Sequence, residues 1–169
     1  MKKTVLTYGL ISGAVSAGMM LCGLPFMTSG NLGKSEIFGW TSIVLAALLV
    51  FFGVRSYREN VSGGRLTFGR GLAVGALIAL ISSCCYVTTW EILYFGVVPD
   101  MGERITACMV DRVKASGASQ EKVDAIVKQT QLYKKLWDNP VTNAAVTFIE
   151  PLPVGLAFAL VSAALLRKK

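Results

Sequence analysis

Histidine is absent from all 169 residues. Without an imidazole there is no base for a histidine-centred catalytic set, and a structural zinc site loses a common ligand. Cysteine is scarce and poorly spaced for metal or disulfide chemistry: of the four, Cys84 and Cys85 are adjacent, Cys22 and Cys108 stand alone, and no C-x-x-C occurs. They read as small apolar residues of a bundle. Charge is missing over long stretches, since Thr4 to Gly33, Ile37 to Val54 and Gly71 to Trp90 carry no charged side chain and Val141 to Leu166 carries only Glu150. These stretches hold no paired acidic motif and no nucleophile with an evident base, so no catalytic residue is assigned and no enzyme is expected. No cofactor and no metal site is expected either.

What remains is a chain of 53% hydrophobic residues and mean hydropathy +0.56. A helix rises about 1.5 Å per residue, so roughly 20 residues cover the ~30 Å hydrocarbon layer of a bilayer. Backbone amides in lipid must be bonded within their own segment, and nothing here alternates as a barrel strand would. The expectation is an all-α membrane protein, a single membrane domain over 1–169 with four transmembrane helices at about 4–28, 37–54, 71–95 and 141–166. The lipid bilayer is its first partner. The net charge of +7 does not imply a nucleic acid, because the Lys and Arg residues form short clusters beside apolar runs, with no stripe of interleaved aromatics. Lys2, Lys3 and Val15-Ser16-Ala17 imitate a secretory signal, but the apolar run continues to Met27, so the segment is expected to be retained. A lipid-modified Cys22 is not expected, because Leu21 stands where a small residue belongs.

Charge sorting predicts orientation. Lys2 and Lys3, then Arg55, Arg58, Arg65 and Arg70 against Glu59, then Arg167, Lys168 and Lys169 fall on one face if all four spans cross. The first connection has only Lys34 and Glu36, and the third balances its basic residues with acidic ones. Short basic connections stay cytoplasmic, so both termini are expected in the cytoplasm and the long third connection outside. Ser62-Gly63-Gly64 supplies the reversal between spans two and three. The arginines around it fit topology control, and they also fit acidic lipid headgroups.

The third connection reads as an amphipathic helical hairpin over about 101–138. Ile105, Met109 and Val113 recur at a four-residue spacing before Gly117. Ser119 is a plausible N-cap for a second helix whose Val123, Ile126, Val127, Thr130, Tyr133 and Trp137 trace one face until Asn139-Pro140. Tyr133 and Trp137 suit an interfacial anchor, so the hairpin should lie on the outer membrane surface or cap the bundle. A lid over a soluble ligand is the sharper alternative.

Small residues recur every four positions: Gly9, Gly13 and Ala17; Gly71, Gly75, Ala79 and Ser83; Gly155, Ala159 and Ala163. Such stripes let helices approach closely in lipid, either within one bundle or across a homo-oligomer. Two carboxylates inside spans, Glu91 and Glu150, are the functional candidates, because charge at depth is costly and finds a partner or a polar path. By helical rise they sit roughly 30 Å and 25 Å from the basic ends of their spans, near the outer edge, which favours a structural role over a midplane coupling site. Pro151 and Pro153 kink or delay span four, and one option starts its helical part near Pro151 with Glu150 in the first turn. Another has Glu91 and Glu150 share a proton or cation. Tyr86, Trp90 and Tyr94 form either a cation-binding wall or an aromatic belt.

The Lys3-to-Gly13 run, Leu66-Thr67-Phe68-Gly69-Arg70-Gly71, the Gly117-Ala118-Ser119 turn, and Phe148-Ile149-Glu150-Pro151-Leu152-Pro153-Val154-Gly155 leading to Leu165-Leu166-Arg167-Lys168-Lys169 occur here in one order. In this the chain resembles the domain of unknown function 4199 family of small four-span bacterial membrane proteins. The resemblance implies a bacterial cell membrane location and supplies no activity or catalytic residue. The leading functional expectation is a structural or partner-interaction protein, with a homo-oligomer or another membrane protein as its partner. The alternative is a small oligomeric transporter or channel in which Glu91 and Glu150 bind a cation or proton.

Overall fold

The computed structural model describes residues 1–29, 32–98 and 100–168; Lys169 of the basic tail lies outside them. It is about 87% helical and, among the described residues, has no strand. Among the described residues seven α-helices follow one another: α1 (Lys2–Thr28), α2 (Leu32–Asn60), α3 (Phe68–Ile92), α4 (Met101–Ala115), α5 (Gln120–Trp137), α6 (Pro140–Phe148) and α7 (Pro151–Leu166). A π-helical turn, Leu93–Val97, continues α3, closed by the Val98 amide donating to the Leu93 carbonyl at 2.9 Å. Four stretches, Lys2–Met27, Gly33–Asn60, Phe68–Val97 and Pro140–Leu166, are long and apolar enough to cross a bilayer. The chain is an all-α, multi-pass membrane protein.

Polar side chains sit inside the bundle and large apolar ones on its outside. Ser12, Ser16, Ser42, Ser83 and Ser162 are buried, while Leu6, Leu10, Phe52 and Leu160 point outward. Water would punish that distribution, but lipid tails are as apolar as Leu, so association is left to close contact and interhelical hydrogen bonds. Ser12 supplies one such bond, donating to the Ala46 carbonyl at 3.1 Å and lying 2.8 Å from the Ser82 hydroxyl, so that one side chain ties α1 to α2 and α3.

The small-residue stripes pack within the chain. A Cβ added to Gly75 would sit 2.7 Å from the Ala159 Cβ, one at Gly155 would sit 2.8 Å from the Ala79 Cβ, and one at Gly71 would sit 3.2 Å from Ala163. Read together, Gly71-Gly75-Ala79 runs antiparallel against Ala163-Ala159-Gly155, so α3 and α7 touch almost backbone to backbone. Gly9 and Gly13 make room on α1 for the Ile81 and Cys85 side chains of α3. Of the cysteines taken as bundle residues, Cys22 and Cys84 instead face outward.

The ends of the spans are built from local rules. Gly63 and Gly64 take φ of +59° and +81°, which only glycine does without strain, and turn the chain between α2 and α3. Thr67 caps α3 through the Arg70 amide. Leu66 and Lys168 exchange two backbone hydrogen bonds of 2.9 Å, fastening this turn to the tail. Lys2, Lys3, Arg55, Arg58, Arg65, Arg70, Arg167 and Lys168 therefore share one end of the bundle with the single acid Glu59. At the other end, Asn139 accepts from the Val141 and Thr142 amides to cap α6, with Pro140 in its first turn. Ser119 precedes α5 as expected, but its hydroxyl makes no capping bond. Span four is two helices, because Pro151 and Pro153 cannot donate into a continuing ladder and the chain turns at Ile149–Glu150.

Candidate functional site

The hairpin of α4 and α5 folds back over the bundle. Met101 and Ile105 of α4 are buried with Leu93, Tyr94 and Val98, and Met20, Leu24 and Met27 of α1 pack against that cluster. Arg112 donates to Glu36 at 3.2 Å, tying α4 to the start of α2, and Lys134 donates to Glu103 at 2.9 Å, tying α5 to α4. That hydrogen bond pushes the Lys134 ammonium above the ordinary lysine range. Gly117, at φ +72°, makes the turn between the two helices.

Beneath this roof lies a cavity of about 260 Å³. Met20 of α1, Phe38 and Ile43 of α2, Tyr86 of α3 and Ile105 and Met109 of α4 supply most of its apolar wall. Trp90 and Trp137 also line it, and Trp40, itself 59% exposed, stands at its mouth, so all three tryptophans of the chain border it. Glu150 borders it from the break in span four, where helix interruption leaves the carboxylate accessible. The buried Tyr86 phenol donates to Oε2 of Glu150 at 3.3 Å. Glu36 stands at its edge, already held by Arg112.

Asn143 locks the site together. Wholly buried, it accepts from Nε1–H of Trp90 at 2.8 Å and from the Thr147 hydroxyl at 3.1 Å, and its amide donates to the Trp137 carbonyl at 2.9 Å. One side chain thus joins α3, α5 and α6 and aims the Trp90 indole. The sequence reading passed over it because it carries no charge, although an amide inside a span is itself a signal of interhelical bonding.

The candidate carboxylates part company. Glu150 borders the cavity and Glu91 does not; Oε1 of Glu91 is enclosed with no hydrogen-bond partner among the described residues. Tyr86 and Trp90 turn to the cavity, whereas Tyr94, its ring 5.8 Å from that of Trp90, is buried under the hairpin and donates to Asp138 at 3.3 Å. Tyr133 and Trp137 stack at 5.7 Å with Trp137 turned inward and Tyr133 at the surface. Gly9, Gly13, Gly71, Gly75 and Gly155 lie at helix contacts away from the cavity. Among the described residues no three Cys, Asp or Glu side chains gather as a metal would require. The arrangement offers a small aromatic compartment bordered by the carboxyl groups of Glu36 and Glu150, with the hairpin packed over it.

No curated protein and no solved structure matches the chain. A family model described as "Protein of unknown function (DUF4199)" matches residues 7–168, and the chain belongs to that family.

Proposed function

We propose that this is a non-enzymatic protein of the bacterial cell membrane, with both termini cytoplasmic, that binds a small molecule in the cavity beneath its hairpin. The observation that carries the reading is the convergence of all three tryptophans and an accessible carboxylate on one roofed compartment. Ligand sites are concave and mostly apolar with a few placed polar groups, and this one has that make-up. The basic end favours a cytoplasmic placement by the positive-inside rule. Toward that end Val54, Val74, Ile78 and Ala159 are fully buried and fill the bundle, which favours a binding compartment over a through-passage. Transport coupled to Glu91 and Glu150 has less support, since only the second borders the cavity.

Cavity filling tests the reading. A Cβ at Gly39 meets no heavy atom within 4 Å, so Gly39→Phe should insert into the cavity and leave the fold intact. Protein extracted in mild detergent from its own membranes should carry a small molecule, identified by mass spectrometry, that the variant lacks. Identical extracts from two equally folded proteins would reject the proposal.

A second reading, contact with a membrane-protein partner or another copy, is favoured by the outward strip Leu132, Tyr133 and Leu136 on α5, exposed by 63%, 37% and 41%. A photo-crosslinker at Leu132 should then capture a discrete protein species. Capture of lipid alone would reject it.

A further inference from the structure

The polar groups around the cavity are largely spent on one another. Trp90 and Thr147 donate to Asn143, the Ser42 hydroxyl donates to the Gly39 carbonyl at 2.7 Å, and Glu36 meets Arg112. Glu150 is different. Unlike Glu36 it meets no Lys or Arg among the described residues, and it accepts one hydrogen bond, from Tyr86, whereas a carboxylate offers roughly four acceptor positions. Among the described residues no Lys or Arg borders the cavity. The unused capacity is therefore hydrogen-bond accepting, and it shares the cavity with aromatic rings whose faces are electron-rich.

We propose that the cavity binds an organic cation, an ammonium group on a small apolar body, with the ammonium at Glu150 and the body among Trp40, Trp90 and Trp137. The inference rests on the cavity-binding reading above and names its ligand class. A cation near a ring face is attracted by the ring quadrupole, most strongly by tryptophan, and the attraction grows when water is excluded. Anions meet Glu150 with no counter-charge. A hard metal ion, which takes six or more oxygens, finds one free carboxylate in an apolar wall. The volume lies just below the ~300–1,000 Å³ of drug-sized pockets, so the body is small. Met20, Met27 and Met109 give the wall adaptable thioethers, which fits acceptance of several related cations.

The probe is benzyltrimethylammonium, compared with its uncharged carbon isostere neopentylbenzene, titrated into the full chain in nanodiscs of neutral phosphatidylcholine. Tryptophan emission reports binding directly, because every tryptophan borders the cavity. The expected result is a saturable change with the cation, at least tenfold weaker with the isostere. Glu150→Gln should lose at least tenfold in cation affinity, Gly39→Phe should abolish the response, and Glu91→Gln should retain it. If the isostere binds as tightly as the cation and Gly39→Phe abolishes both, the cation assignment is overturned while the cavity-binding reading stands. If neither probe gives a saturable change, both are overturned. Cation binding that Gly39→Phe leaves intact places the ligand elsewhere and also overturns the proposal. The comparison of the two probes needs no variant, so a folding defect in Glu150→Gln does not remove the test.

Discussion

The Trp90 indole N–H reaches Oδ1 of Asn143 at 2.8 Å, joining the third span to the first half of the broken fourth. The same amide serves Thr147 and Trp137, so its loss leaves several groups unpaired in an apolar setting. Asn143→Leu should cost roughly 1–3 kcal/mol, the usual penalty of orphaned buried polar groups. Trp90→Phe, which removes one bond, should cost less. Thermal unfolding in detergent checks the order.

Glycine substitution should separate contact from helix propensity. Gly75→Ala gains about 0.5–1 kcal/mol of propensity. It also drives a methyl to 2.7 Å from the Ala159 Cβ and 3.0 Å from its Cα, and overpacking of that kind costs about 1–3 kcal/mol. The net effect should be destabilising, and adding Ala159→Gly should recover part of the loss. Gly18→Ala, with nothing within 4 Å, should be neutral or stabilising. Melting temperatures of the four proteins decide the matter.

The two intramembrane carboxylates should respond in opposite ways to removal. Glu91 has an enclosed oxygen without a partner, so Glu91→Leu should leave stability unchanged or raise it by on the order of 1 kcal/mol. Glu150→Leu strips the buried Tyr86 phenol of its acceptor and should destabilise. Equal losses in both variants would contradict this division.

Roof attachment depends on charge at one visible point. Arg112→Glu sets two carboxylates against each other at Glu36 and should speed hydrogen exchange across Met101–Ala115 several-fold, with Glu36→Arg restoring it. The effect should shrink as salt rises, because both partners are exposed.

Topology can be read from outside. An epitope inserted after the exposed Gly117 turn should be reached by antibody on intact spheroplasts, while tags on either terminus should need permeabilised cells. Surface labelling of a terminal tag would reverse the orientation proposed above.

Much of the framework was legible in the residues. Glycines at 71, 75 and 155 announced close helix approach, because a missing Cβ has one consequence wherever two helices meet. Gly63-Gly64, Asn139-Pro140 and Gly117 marked their turns for equally local reasons. Asn143 was harder. Its three hydrogen bonds come from residues whose spacing along the chain says nothing about their meeting.

By itself the amino-acid order determined the solvent, the number of crossings and the helical backbone, since each follows from the length and polarity of a contiguous run. Only tertiary structure decided that the stripes of spans three and four face each other and that the hairpin closes as a roof. It also decided that Glu150, and not Glu91, opens onto the tryptophans. Those outcomes depend on how helices rotate and dock against one another, and docking is set by contacts between residues far apart in the chain.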